Sequence, residues 1–443
     1  MGTRRTSTLS GQDLYKRAKQ LIPGGTQLLS KRPELFLPDQ WPAYYSKCKG
    51  AYVWDLKGHR YTDMTNHGIG TCILGYNDPD VAKAVQKAVR AGSMCTLNCP
   101  EEVELAELLC ELHPWAEQVR YSRCGGEAMA IAVRIARAAT GREAIAFCGY
   151  HGWHDWYLSA NLANDNNLDG QLLPGLEPLG VPRGLAGTVQ PFHYNNREEL
   201  GQIISTQGHR LAAIVMEPAR SGPPDAEFLR YVRAAADRIG AVLIFDEVTS
   251  GWRQELGGIH LATGVNPDMA VFAKGISNGY AMAAIIGKAT VMRAVQTTFI
   301  SSTYWTERIG PTAALATIRK MKKYKVAKHV VLMGKKVQEG WATIAKRYAI
   351  SIHIDGIYPL SHFSFDGDGD LSCKTLFTQL MLEKGYLAAT TFYSTFAHTP
   401  EIIAHYLKTV NSVFGIIHQA IEQGTVKQWL KGPLAHAGFK RLN

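Results

Sequence analysis

The sequence predicts an α/β fold with a mostly parallel sheet. Residues 241–248 and 267–275 are short apolar runs with β-branched members, closed by a carboxylate, a lysine or a glycine. Runs of that length without alternation are the pattern of strands buried on both faces. Such runs also alternate with helical patterns: a strand over 211–216, a helix over 225–239, then the run from 241. That is the order of a doubly wound sheet. With 443 residues and 46% hydrophobic content, the chain is long enough for one large unit and a smaller α+β lobe.

Taken in order, residues 11–22 form an amphipathic helix stopped by Pro23, Gly24 and Gly25. After an extended stretch with Trp41, Tyr44 and Tyr45, residues 50–63 alternate around Lys57 and Gly58 as a β-hairpin. Helices are expected over 81–91 and 101–112. Gly125 and Gly126 open an Ala-rich helix, and 143–148 is a further buried strand ending at Gly149, Tyr150 and His151. Residues 153–184 are Asn-rich with little apolar period; structureless segments beyond about 15 residues are usually lids or disorder, and this one reads as a lid over the sheet edge. A strand over 281–287 precedes a polar turn at 301–305 and one long helix from about 310. Two short strands, a helix near 375–384 and a closing helix with Pro400 at its first position complete the chain. The expected division is 1–75 and 320–443 in the small lobe, with 76–319 in the large domain.

Composition narrows the function. The formal charge of +10 suits an anionic cofactor or substrate, and equally nucleic acid. The densest basic stretch, from Arg319 to Lys336, interleaves with Ile318, Met321, Val326 and Val330, which favours a solvated helix face over a nucleic-acid surface. No apolar run reaches 18 residues, so no membrane span is expected, and Arg4 and Arg5 lead into no apolar stretch of a secretory signal. A cytoplasmic protein follows as the expectation. Seven of eight cysteines precede residue 149 without C-x-x-C spacing, which fits reduced thiols; Cys95 and Cys99 lack the second pair that zinc would need.

The chemistry concentrates at strand ends, where parallel sheets keep their ligand sites. Asp246 ends one apolar run and Lys274 another. Pyridoxal phosphate requires that pairing: a lysine to form a Schiff base with the aldehyde, and a carboxylate to keep the pyridine nitrogen protonated. Either residue alone is equally explained as a cap or an exposed side chain. Gly125 and Gly126 at a helix start let backbone N–H groups approach an anion, although turn chemistry explains most such pairs. Tyr150 could stack on a flat heterocycle, and His151 could be a cofactor neighbour or a core histidine.

With these elements placed, nearly the whole chain resembles a class III aminotransferase of fold type I, in the branch of glutamate-1-semialdehyde aminomutase and amino-sugar transaminases. The resemblance rests on Ile22 to Gly25, Asp246 to Val248, Ala273 to Gly275, and Ser302 with Thr303, in that order and spacing. It implies pyridoxal 5'-phosphate as cofactor, Lys274 as the Schiff-base lysine and Asp246 as the ring-nitrogen partner. It further implies Val248 beneath the ring, Tyr150 above it with His151 beside, and Glu217 near the ring hydroxyl. Gly125, Gly126 and Glu127 match the phosphate turn, and Thr303 a threonine that reaches the phosphate from the partner subunit of a homodimer. Lys31 or Arg32 lies near a carboxylate-binding arginine of the aminomutase, and Trp153 is a candidate platform for a sugar.

Two departures stand out. Cys124 and Gly126 occupy positions where the family carries hydroxyls, so phosphate binding would lean on backbone N–H groups and Thr303. The stretch between Pro218 and Pro223 is shorter than in the aminomutase, which argues against mutase activity. The expected function is therefore transamination from an amino acid, glutamate foremost, to a carbonyl of a sugar or aminocyclitol. The rivals are the aminomutase reaction and, from another class, a non-catalytic regulator that binds nucleic acid. Absence of a helix-turn-helix disfavours the regulator, so neither nucleic acid nor membrane is expected as a partner.

Overall fold

The computed structural model describes residues 10–171, 174–219, 222–367 and 370–437. Two compact units emerge, one of residues 79–327 and one of residues 1–78 with 328–443.

The larger unit is built on a seven-stranded sheet. Its order is Gln118–Ser122, Ala283–Gly287, Met269–Phe272, Val242–Asp246, Leu211–Met216, Ala144–Cys148, Val189–Pro191. The five strands from Met269–Phe272 to Val189–Pro191 are mutually parallel. Ala283–Gly287 runs against both of its neighbours, so the sheet is mostly but not wholly parallel, as expected. Every residue of the Ala144, Leu211, Val242, Met269 and Ala283 strands is buried, which is why they read as unbroken apolar runs. Helices Arg197–Gln207 and Ala226–Ile239 contribute Leu200, Ile203, Phe228, Leu229 and Val232 to the core beside the sheet. Asp225 caps the second of these through Glu227 N and Phe228 N, and Gly240 ends it in the left-handed region.

Two local expectations are corrected. Residues 153–184 are not structureless where described but form short helical turns with Trp156, Tyr157, Ser159, Asn161, Leu168 and Gln171 buried. Asn161 explains the composition: its amide donates to Leu176 O at 2.8 Å and accepts from Leu168 N at 2.8 Å. Side-chain amides thus supply the bonds that a helix or strand would supply itself. The long helix from 310 is two helices, Ile309–Tyr324 and Val326–Arg347, because Lys325 turns into the left-handed region at φ 50°. Part of its basic face meets acids: Arg319, Lys320 and Lys322 pair with Glu104, Asp80 and Glu111 at 3.1, 2.7 and 2.9 Å.

The smaller unit holds two sheets. Strands Tyr45–Lys49, Tyr52–Asp55 and Arg60–Asp63 form an antiparallel meander, and Tyr386–Leu387 adds to it in parallel, so segments far apart in sequence share one sheet. Ile352–Asp355, Leu360–Phe365 and Thr391–Tyr393 form the other. Trp341, Phe363, Phe377, Tyr406 and Phe414 centre its core, with Trp341 Nε1 donating to the Tyr406 hydroxyl at 3.1 Å. Among the described residues, no helix is long and apolar enough to cross a membrane.

Candidate active site

Asp246 and Lys274 come from neighbouring parallel strands, with Asp246 opposite Val271 in the ladder. Both therefore stand at the same carboxyl edge of the sheet. The Asp246 carboxylate is buried and held from two sides: Oδ1 accepts Val248 N–H at 3.0 Å, and Oδ2 lies 2.8 Å from His151 Nδ1. His151 is buried, and its Nε2 lies 3.1 Å from the Cys148 carbonyl oxygen. A carbonyl can only accept, so Nε2 carries a hydrogen. Lys274 follows its strand by a turn into the left-handed region, φ 44°, and its Nζ donates to Thr249 Oγ1 at 2.7 Å.

The start of helix Gly125–Thr140 lies against these residues without intervening side chains. A Cβ on Gly125 would stand 2.8 Å from Val248 Cγ1 and 3.6 Å from Ala273 Cβ. A Cβ on Gly152 would stand 2.8 Å from Gly126 Cα, and Gly152 has φ 102°. The first amides of a helix have no acceptor within it, and the helix dipole adds to their attraction for an anion. Glu127 closes the turn: its Oε2 accepts Arg123 N–H at 2.8 Å and Cys124 N–H at 3.4 Å, and its Oε1 accepts the Trp305 indole N–H at 2.9 Å. Burial, followed by the Glu127 charge, raises the Cys124 thiol above its ordinary value.

The turn after strand Ala144–Cys148 is fixed by two buried side chains. Gln171 Oε1 accepts Gly149 N–H at 2.6 Å, and Glu217 Oε2 accepts Tyr150 N–H at 3.0 Å. At Gly149, with φ 109°, a Cβ would fall 2.6 Å from that Glu217 oxygen. Tyr150 is half-buried, edge-on to Tyr157 with ring centroids 6.0 Å apart.

One region of the larger unit thus brings together Gly125, Gly126, Glu127, Tyr150, His151, Glu217, Asp246, Val248 and Lys274. Thr303 opens an exposed turn, Thr303–Thr306, in the same unit. Trp153 is 70% exposed, stacks on His154 at 4.5 Å, and lines a cavity of about 550 Å³ with Trp156, Phe299 and Trp305. Trp41, Trp156 and Tyr157 are buried. Lys31 and Arg32 belong to the smaller unit, where Lys31 is exposed and the Arg32 guanidinium packs against Gly24.

Sequence reasoning passed over Thr249, Gln171 and a buried chain beside Asp246. Glu247 accepts from His260 N and Nδ1 at 3.0 and 2.8 Å and from the Ser250 hydroxyl at 2.5 Å. Trp115 Nε1, which can only donate, meets His260 Nε2 at 3.1 Å and so fixes the hydrogen on Nδ1. Burial alone would raise the Glu247 carboxyl; the His260 and Ser250 bonds outweigh it and hold the group below its ordinary value. Adjacency to Asp246 was the available signal for Glu247 and Thr249. Gln171 carried none.

The residues present fit pyridoxal phosphate. Its phosphate suits a glycine turn that leaves no room for a Cβ, and its aldehyde and ring nitrogen suit an amine and a carboxylate at one sheet edge. Comparison with known proteins agrees. The model of the family "Aminotransferase class-III" matches residues 38–395. The chain is 30% identical over 410 residues to a 3-aminobutyryl-CoA aminotransferase of Cloacimonas acidaminovorans, covering 90% of this chain and 94% of that one. It is 28% identical to a 2'-deamino-2'-hydroxyneamine transaminase of Streptomyces kanamyceticus, over 83% of this chain and 91% of the relative. A glutamate-1-semialdehyde 2,1-aminomutase of Nitrosomonas europaea is 30% identical, over 95% and 100% of the two chains. A solved transaminase with bound pyridoxal phosphate shares the fold at TM-score 0.79 and 24% identity, covering 92% of this chain and 97% of its own. The chain belongs to the class-III aminotransferases, fold type I enzymes that work with pyridoxal 5'-phosphate.

Proposed function

We propose that the protein moves an amino group from an amino acid, glutamate foremost, to the carbonyl of a sugar, aminocyclitol or similar small molecule. The observation that carries the catalytic part is the placing of Lys274 and Asp246 at one edge of adjacent strands, with the Gly125 turn packed on Val248 and Ala273. Bound pyridoxal phosphate supplies an aldehyde that condenses with amines and a ring that draws electrons from the neighbouring bond. In this reading Lys274 Nζ holds the cofactor and, once displaced, carries a proton between the substrate carbon and the cofactor. Asp246 would keep the ring nitrogen protonated, and His151 and the Val248 amide aim its carboxylate. Val248 and Tyr150 would flank the ring, and Glu217, which fixes the Tyr150 backbone, would serve the ring hydroxyl.

The amides of Gly125 and Gly126 would take the phosphate, and Thr303 would complete that site from the partner in a cytoplasmic homodimer. Glu127 serves through the shape of the turn, since both its oxygens already accept from protein donors. Nucleic acid is not a partner in this reading, in keeping with the ion pairs that occupy Arg319, Lys320 and Lys322.

For the acceptor, support comes from the exposed indole of Trp153, which offers a face for sugar C–H groups, and from the relative named for 2'-deamino-2'-hydroxyneamine. Lys31 or Arg32 would grip a carboxylate or a sugar-linked phosphate. The test is a panel of donors and carbonyl acceptors followed by half-reaction spectroscopy. Glutamate should convert the cofactor, and a keto-sugar should restore it. Preference for a 3-oxoacyl-CoA would overturn the sugar assignment. Conversion of glutamate 1-semialdehyde to 5-aminolevulinate with no added donor would establish the mutase instead.

A further inference from the structure

Two segments far apart in sequence hold one another by both side chain and backbone. The Trp305 indole donates to Glu127 Oε1 at 2.9 Å, and Glu127 Oε2 accepts the Arg123 amide at 2.8 Å. The Arg123 guanidinium returns across the gap: Nη2 donates to Trp305 O at 3.1 Å and to Glu307 O at 2.7 Å. Arg120 Nη2 adds a bond to Ile300 O. The Arg123 side chain, Glu127 and Trp305 thus close a hydrogen-bonded ring. On one side of it is the helix start that carries Gly125 and Gly126. On the other is the turn Thr303–Thr306.

The Trp305 ring lines a cavity with Trp153, Trp156 and Phe299, a role that needs no N–H. Glu127 could also cap the helix with one oxygen alone. What the second bond adds is orientation. A carboxylate held at both oxygens cannot rotate away from the Arg123 and Cys124 amides, and so those amides, with the turn that follows, keep one position.

We propose that Trp305 is a positioning residue for the cofactor: through Glu127 it fixes the glycine turn, and through Arg123 the same ring fixes the segment bearing Thr303. The inference rests on the proposed phosphate site at Gly125 and Gly126. It adds that the glycine turn of one site and the Thr303 segment that serves the partner's site are set by one shared ring of bonds, so that weakening the ring loosens the cofactor while the sheet and its core stay as they are.

The experiment measures cofactor release by dialysis and absorbance from purified holoenzyme, together with melting of the holo and cofactor-free forms. Trp305→Phe keeps the ring and removes the N–H; release should quicken about tenfold, the scale of one hydrogen bond to a charged group. The melting temperature should fall in the holo form and stay unchanged in the cofactor-free form. Glu127→Gln should reproduce the effect, because an amide cannot accept at both ends. Trp305→His, which restores a ring N–H, should recover part of the retention. Release at the native rate in both Trp305→Phe and Glu127→Gln would overturn the inference. So would equal losses of melting temperature in both forms, the mark of a merely structural role. Failure of the native protein to retain pyridoxal phosphate at all would instead overturn the phosphate site on which the inference stands.

Discussion

His151 Nδ1 and Asp246 Oδ2 lie 2.8 Å apart, both residues buried, with His151 Nε2 anchored on the Cys148 carbonyl. The sequence suggested His151 as a neighbour of the cofactor ring; its bonds make it a holder of the carboxylate. Asp246→Asn breaks this arrangement, since an amide cannot accept from both the ring nitrogen and the imidazole. The variant should still bind cofactor but lose at least ~10²-fold in turnover, a general-catalysis scale. Turnover near that of the native enzyme would remove Asp246 from the mechanism.

Lys274→Ala should abolish turnover. Borohydride reduction of the native holoenzyme should fix the cofactor to the peptide containing Lys274, and no labelled peptide should form in the variant. Thr249→Val removes the hydroxyl that accepts from Lys274 Nζ at 2.7 Å and should slow turnover less severely. Label on any other lysine would defeat the assignment.

The fold was legible where burial on both faces left its mark. The strands ending at Asp246 and near Lys274 could be read because every residue before them is buried. Gln118–Ser122 escaped notice because it is a short edge strand, mostly half-exposed, carrying Gln118 and Arg120. Tyr386–Leu387 and Thr391–Tyr393 are too short to show any period. Lys325 breaks a helix by a positive φ that glycine or asparagine would have announced and lysine does not. In the site, residues at strand ends and at the glycine turn could be named in advance. The bonds of Trp305 to Glu127 and of Gln171 to Gly149 span 178 and 22 residues and follow from tertiary packing alone.

Thr303→Ala should weaken cofactor retention, because Gly126 supplies no hydroxyl to share the phosphate. Hydrogen bonds to charged groups are worth roughly 1.5–3 kcal/mol. If Thr303 acts across a dimer, mixing Thr303→Ala with Lys274→Ala subunits regenerates one complete site in each heterodimer. Activity in the mixture should then exceed that of either variant alone. No recovery, with heterodimers demonstrated by differential tagging, would place the whole site within one chain.

The pH dependence of stability provides a test away from the cofactor. His113 is buried, with Nδ1 donating to Leu109 O at 2.9 Å and Nε2 accepting from Gly258 N–H at 3.2 Å. Both bonds require the neutral ring, since a proton on Nε2 would face the Gly258 donor. Burial, against the opposing Leu109 bond, pushes its pKa from 6.5 to about 4. His260, stacked at 5.8 Å, lowers it further if charged, and Glu247 pulls the other way. Between those two values the unfolded chain binds the proton and the folded chain does not, so stability falls as pH falls. The contribution is full above about pH 6.5 and is lost toward pH 4, up to about 3 kcal/mol for this group. His113→Asn keeps a donor for Leu109 and cannot titrate. Its melting temperature at neutral pH should be lower than the native one, because the ring leaves a cavity, but its decline from pH 6.5 to 4 should be shallower. An equally steep decline in the variant would show that other groups carry the acid sensitivity.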